Sequence, residues 1–166
     1  MSSTPGAGST FWFVIPLKKQ PTQAGSRQHA AGLDNEEDDL SICFSGQRIL
    51  LVEDEPINQE ISTGLLEEVG LIVDLAENGQ KALVLARQQV YSLILMDMQM
   101  PVMNGMDATA AIRADSLNTD TPILAMTANA FNEDRDNALA AGMNDHIAKP
   151  VDPARLYEAL RYWLGR

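Results

Sequence analysis

The sequence predicts an α/β fold, a doubly wound sandwich in which five parallel strands carry helices on both faces. Two features carry this. From Gln47 onward, short apolar runs alternate five times with segments of helical periodicity. Strict alternation of that kind means parallel strands joined by right-handed helical crossovers. The runs are also too short for helices and end on turn or polar residues, as buried parallel strands do.

Each element has its own signal. Arg48-Ile49-Leu50-Leu51-Val52 is the first strand. Pro56 stands at the first position of a helix, its φ already suited to it. Ile57, Ile61, Leu65, Leu66 and Val69 recur at helical spacing, and Gly70 ends the helix. Leu71 to Ala76 is the second strand, and Asp74 inside it marks a sheet edge. Asn78-Gly79 turns into a helix that runs to about Gln89. Leu93-Ile94-Leu95-Met96-Asp97 is the third strand, followed by a loop with Pro101, Asn104 and Gly105. A helix with Met106, Ala110 and Ile112 comes next, then Pro122-Ile123-Leu124-Ala125-Met126 as the fourth strand, ending at Thr127. Asn132 to Ala141 is an Ala-rich helix closed by Gly142, and Asp145-His146-Ile147-Ala148 is a fifth strand ending at Lys149-Pro150. Asp152-Pro153, an N-cap followed by Pro at N1, opens a last helix with Leu156, Leu160 and Leu164 along one stripe.

Ligands of open α/β sheets bind at the carboxyl ends of the strands. The first strand presents Glu53 and Asp54 there, the third Asp97, the fourth Thr127 and the fifth Lys149. In strand order 2-1-3-4-5 the first and third strands are neighbours, about 4.8 Å apart. Asp54 and Asp97 then converge with Glu53 beside them. Three carboxylates that close need a proton or a cation among them. An all-oxygen set without His or Cys suits a hard ion such as Mg²⁺. An amine and a hydroxyl aimed at Asp97 are what a phosphoryl group on that residue requires, and aspartate is a known covalent phosphoryl acceptor.

Leu50-Leu51-Val52-Glu53-Asp54-Glu55-Pro56-Ile57-Asn58 and Leu95-Met96-Asp97-Met98-Gln99-Met100-Pro101-Val102-Met103-Asn104-Gly105 resemble the receiver domain of two-component response regulators. Ala125-Met126-Thr127-Ala128-Asn129-Ala130 and Ile147-Ala148-Lys149-Pro150-Val151 complete the resemblance, which spans residues 47 to about 164 and is nearest to receivers fused to hybrid histidine kinases. It implies a flavodoxin-like (βα)5 domain with Asp97 as phosphoacceptor. Asp54 is then a direct Mg²⁺ ligand, Glu53 acts mainly through water, and the Gln99 carbonyl is a third protein ligand. Thr127, Ala128, Lys149 and Met98 bind the phosphoryl, with Thr127 sensing it. Gln99 and Asn129 flank the site and affect how fast water attacks the phosphoaspartate. The Lys149-Pro150 bond is expected to be cis. The fifth-strand aromatic that swings inward in this family is replaced by His146, an imidazole able to fill the same slot and to titrate near neutral pH. The resemblance further implies Mg²⁺-dependent transfer from phosphohistidine to Asp97, and conformational switching. The expected partners are a histidine kinase core or a histidine phosphotransfer protein, docking near Ile57, Asn58 and Ile61, with a homodimer as a further assembly.

Ahead of this domain, Gly6-Ala7-Gly8-Ser9-Thr10-Phe11-Trp12-Phe13-Val14-Ile15-Pro16-Leu17 resembles the last hairpin and strand of the ATP-binding domain of sensor histidine kinases. Residues 1–17 are therefore expected to be a remnant of such a domain, unable to bind ATP alone, with a parent of the hybrid kinase kind. Residues 18–46 read as a flexible linker, since Asp34-Asn35-Glu36-Glu37-Asp38-Asp39 is a self-repelling acidic block. His29 and Cys43 within it are assigned no role.

The 166 residues carry a net charge of −11, which argues against nucleic-acid binding and suits a cation carrier. One cysteine supplies neither a disulfide framework nor a thiolate metal site, as expected in the cytoplasm. No apolar run reaches the roughly 20 residues of a membrane span, so no membrane contact is expected from these residues. Two rivals remain. An aspartate-nucleophile phosphatase wants a second Asp two residues after the first, where this chain has Gln99. A phosphorylation-independent dimerisation module would not need Asp54, Asp97, Thr127 and Lys149 together.

Overall fold

The computed structural model describes residues 2–4, 8–10, 44–128 and 137–165. The expected strand at Phe11–Ile15, the linker residues 18–43 with His29 and Cys43, and residues 129–136, including Asn129, lie outside them. β1 (Ser2–Thr4) and β2 (Gly8–Thr10) pair antiparallel, with Ser3 opposite Ser9.

The remaining strands are β3 (Arg48–Val52), β4 (Ile72–Ala76), β5 (Leu93–Asp97), β6 (Ile123–Thr127) and β7 (Asp145–Ala148). They form one parallel sheet in the order β4-β3-β5-β6-β7, which is the expected 2-1-3-4-5. The helices are α1 (Pro56–Glu68), α2 (Gly79–Gln88), α3 (Gly105–Ala114) and α4 (Pro153–Leu164), and residues 137–140 are also helical.

Strand periodicity sorts the core into two layers. Ile49, Leu51, Leu93, Leu95, Leu124 and Met126 face Leu66 of α1 and Leu156 and Leu160 of α4. Leu50, Val52, Ile94, Met96, Ile123 and Ala125 face Ala82 and Ala86 of α2 and Ala108 and Ile112 of α3. β5 and β6 are buried along their whole length, which is why they read as unbroken apolar runs. β4 is an edge strand, and its Asp74 pairs with Arg48 at 2.8 Å and accepts from the Tyr91 hydroxyl at 2.9 Å.

The capping signals hold. Asn78, Asn104 and Asp152 each accept a hydrogen bond from a backbone N–H three residues on. Gly70, at φ 78°, ends α1 in a Schellman turn, with its N–H on the Glu67 carbonyl and that of Leu71 on Leu66.

Three features go beyond the sequence pattern. Ile57 and Ile61 do not enter the core and are 65% and 52% exposed. At about 100° per residue, the nine steps from Ile57 to Leu66 place them on opposite sides of α1, so the inward face is Ser62 and Leu66. In α3 the buried residues are Gly105, Ala108, Thr109 and Ile112, while Ala110 faces solvent. Finally, Phe44 is packed into the core and the Gly46 N–H bonds the Gly70 carbonyl at 2.9 Å, so the folded unit begins ahead of Gln47.

Candidate functional site

The carboxyl ends of β3, β5, β6 and β7 meet on one side of the sheet. Register fixes the meeting: Val52 lies beside Met96, Asp97 beside Met126 and Thr127 beside Ala148. Glu53 and Asp54 follow β3, Asp97 and Thr127 close β5 and β6, and Lys149 follows β7. One carboxylate oxygen from each of Glu53, Asp54 and Asp97 lies within 4.8 Å of the others. Glu53 and Asp97 are buried, whereas Asp54 is open to solvent on one side.

Neither Glu53 nor Asp54 is spent on capping. Glu55 caps α1, accepting from the Asn58 N–H at 2.9 Å, and Pro56 takes N1. The two acids before it are thereby left to the site. Glu53 is held by a set of donors. Its Oε1 accepts from Asn58 Nδ2 at 3.2 Å and from the Glu55 N–H at 3.3 Å, and its carbonyl accepts from Gln59 Nε2 at 2.7 Å. Sequence reasoning missed this holding role of Asn58 and Gln59. The available signal was a pair of amides in the first helical turn after two acids.

Lys149 reaches in from β7 and bridges two carboxylates, 2.6 Å from Glu53 Oε2 and 2.7 Å from Asp97 Oδ2. The Lys149-Pro150 bond is cis. The Lys149 N–H bonds the Thr127 carbonyl at 2.8 Å, locking the two strand ends together. Burial depresses the Lys149 ammonium, but hydrogen bonds and charges from Asp97 and Glu53 outweigh it, and its pKa is raised. Burial pushes the Asp97 carboxyl above its ordinary value, opposed by Lys149 and by the Gln99 N–H, which donates to Oδ1 at 3.1 Å. Asp97 is thus a buried acid whose desolvation its amine partner does not fully offset.

The other expected residues distribute unevenly. Thr127 is buried at the end of β6, and Ala128 is exposed just beyond it. The Met98 N–H is committed to the Met126 carbonyl at 3.1 Å, so the amide nearest the Asp97 carboxylate is that of Gln99. His146 sits in β7, part-buried, with its amide on Asp145 Oδ1 at 2.8 Å and its Nδ1 3.6 Å from the same oxygen. Gly105 supports the site from below. A Cβ on it would stand 2.2 Å from the Asp97 carbonyl oxygen, so only glycine lets α3 start so near the acid.

A five-stranded doubly wound sheet whose strand ends gather three carboxylates and an amine places the chain among the receiver-like α/β domains. The chain belongs to the response regulator receiver domain family, which it matches over residues 49–161. It is 40% identical over 162 residues, 96% of this chain, to the sensor histidine kinase AruS of Pseudomonas aeruginosa, and spans 15% of that protein's length. Among solved structures it is similar to the receiver domain of the sensor histidine kinase PA1611 of the same organism, which has a magnesium ion coordinated in the active site cleft. That match has 46% identity and a TM-score of 0.69 over 74% of this chain and all of that one. It is also similar to a chain in the co-crystal structure of the Saccharomyces cerevisiae histidine phosphotransfer protein Ypd1 and the receiver domain of Ssk1. Here identity is 31% and TM-score 0.67, over 72% of this chain and 89% of that one. Residues 49–161 are therefore a receiver domain of the kind found in two-component systems. Among the described residues no helix is long and apolar enough to cross a membrane.

Proposed function

We propose that Asp97 is the phosphoacceptor of this receiver and takes its phosphoryl group from a phosphohistidine. The carrying observation is the Lys149 bridge: one ammonium held 2.7 Å from Asp97 and 2.6 Å from Glu53. A carboxylate oxygen of Asp97 attacks phosphorus, the O–P bond forms, and the N–P bond breaks with its electron pair left on the imidazole nitrogen. Lys149 and the Thr127 hydroxyl receive the phosphoryl oxygens, with the Ala128 N–H beside them. Such transfer needs mainly positioning and charge neutralisation.

The donor set of Glu53, Asp54 and Asp97 is all oxygen and fits Mg²⁺, with the Gln99 carbonyl as a further ligand. When bound, the ion supplies neutralisation of charge on the Asp97 side of the phosphoryl. Asn58 and Gln59 hold Glu53 in place for it. Phosphorylation then biases an existing equilibrium between two conformations, read out at Thr127 and His146.

The expected partners are a histidine kinase core or a histidine phosphotransfer protein, and the exposed Ile57 and Ile61 beside the site support docking there. The similarity to AruS extends well ahead of the receiver, which supports residues 1–17 as the tail of a kinase ATP-binding domain, residues 18–46 as linker, and a hybrid kinase as the parent. Acetyl phosphate with Mg²⁺ is expected to add one phosphoryl to the chain, and Asp97→Asn to abolish the addition. An unchanged intact mass of the unmutated protein would refute this reading.

A further inference from the structure

Methionine crowds the segment around Asp97. Met96, Met98, Met100, Met103 and Met106 are five of the eight in the chain. Burial divides them. Met96 and Met98 are covered, as are Met126 and Met143, whereas Met100, Met103 and Met106 are each partly open to solvent. These three pack against one apolar cluster, with Ala82 and Leu83 of α2 and Ala108 and Ile112 of α3. They form a seam of thioethers where the loop after β5 meets the two helices. A thioether needs to lose no proton before it reacts, so access decides which of them an oxidant reaches.

The seam is closed tightly by backbone. The Gly79 N–H bonds the Met103 carbonyl at 3.1 Å, and the Gly105 N–H bonds the Met98 carbonyl at 3.2 Å. Between these clamps the Met103 N–H bonds the Pro101 carbonyl at 2.8 Å, and Val102 is held at φ 70°, a strained value for a β-branched residue. A Cβ added to Gly79 would stand 2.8 Å from Met103 Cγ and 2.7 Å from the Met103 carbonyl oxygen, so the start of α2 is packed directly on this residue. The same loop positions the acid. It carries Gln99, whose N–H donates to Asp97 Oδ1 at 3.1 Å, and it ends at Gly105, packed on the Asp97 carbonyl.

We propose that Met100, Met103 and Met106 are a modification site for hydroperoxide oxidants, and that their conversion to sulfoxides slows phosphorylation of Asp97. The thioether sulfur attacks one peroxide oxygen, so that an S–O bond forms and the O–O bond breaks. Sulfur gives up two electrons and the peroxide accepts them. The proton of the transferred hydroxyl passes to the departing hydroxide, which leaves as water. The product is bulkier and polar, and its oxygen lands in an apolar seam that has no slack. The loop has to shift away from α2, and Gln99 and Gly105 shift with it. The consequence for Asp97 rests on the reading of that residue given above.

The test treats the full chain with hydrogen peroxide, removes the oxidant, and measures labelling by acetyl phosphate with Mg²⁺. Peptide mass spectrometry is expected to find sulfoxide at Met100, Met103 and Met106 before Met96, Met126 and Met143. Labelling should slow about tenfold, as befits a displacement smaller than the 1 Å that costs about a hundredfold. Methionine sulfoxide reductases of both stereospecificities should restore it, a readout that needs no variant. Replacing the three by leucine (Met100→Leu, Met103→Leu and Met106→Leu together) keeps their volume, and this variant should label within about twofold of the unmutated chain before and after peroxide. Absence of sulfoxide at the three positions, equal oxidation of the buried methionines, unchanged labelling after oxidation, or a leucine variant that peroxide slows as much as the unmutated chain would each overturn the proposal. Failure of acetyl phosphate to label the untreated chain would instead remove the Asp97 reading beneath it.

Discussion

Lys149 is an internal counter-ion for two acids, and this decides what its removal does. Lys149→Ala leaves Glu53 and Asp97 buried without their amine. Mg²⁺ binding is expected to persist in this variant, since the cation's ligands are untouched, while phosphorylation no longer drives a structural change. Titrating the metal by fluorescence and comparing amide spectra before and after phosphorylation checks both halves; loss of metal binding would contradict the assigned role. The pH sense follows from the two shifts. Lys149 has a raised pKa, so its stabilisation is complete below the ordinary value of 10.5 and is lost as pH climbs through the higher folded value. Asp97, raised from 3.8, binds its proton more readily folded than unfolded, so its contribution declines as pH rises through that window. Asp97→Asn is accordingly expected to melt higher than the unmutated protein at neutral pH without Mg²⁺. A lower midpoint would show that the Lys149 bridge outweighs the burial of the acid.

Single residues tie the elements together. Gly105→Ala forces a Cβ to within 2.2 Å of the Asp97 carbonyl oxygen, at the junction of β5 and α3. Backbone has to move, and a loss of about 3 kcal/mol is expected in urea unfolding, with slower phosphorylation because Asp97 moves too. Asn118 does comparable work in the crossover from α3 to β6. Its Oδ1 accepts from the Tyr91 N–H and the Thr121 hydroxyl, and its Nδ2 donates to the Ala86 and Gln89 carbonyls, all within 3.0 Å. Asn118→Ala strands these buried partners and is expected to cost about 3 kcal/mol, measurable by the same unfolding curve. Sequence reading assigned Asn118 no role. Its partners come from α2, the start of β5 and its own loop, separations that no periodicity reveals.

For the whole molecule, crowded carboxylates set the relation between folding and metal. A cation that binds only the folded chain stabilises it by about 2.7 kcal/mol at a hundredfold excess over its dissociation constant. A rise in thermal midpoint with Mg²⁺ is therefore expected at neutral pH, shrinking as the solution is acidified and Asp97 takes up a proton. Scanning calorimetry with and without Mg²⁺ reads this directly, and a midpoint indifferent to Mg²⁺ would count against a cation among Glu53, Asp54 and Asp97. Net charge of −11 points the same way, since self-repulsion adds to what a bound cation relieves.

The sequence by itself determined the layered fold and, through its resemblance to receiver domains, the strand order and the strand ends at which Glu53, Asp54, Asp97 and Lys149 meet. Buried parallel strands must be apolar throughout, so the residue that breaks each run marks its carboxyl end, and strand order does the rest. Tertiary structure alone decided the finer matters. Ile57 faces solvent while Leu66 faces the core, because helix phase is set by the sheet it lies on. Asn58 and Gln59 hold Glu53, and Lys149 bridges it to Asp97, because those distances depend on loop paths rather than spacing. Val102 is strained because two glycine-permitted backbone contacts clamp its turn, and nothing local to Pro101-Val102-Met103 announces partners drawn from other elements.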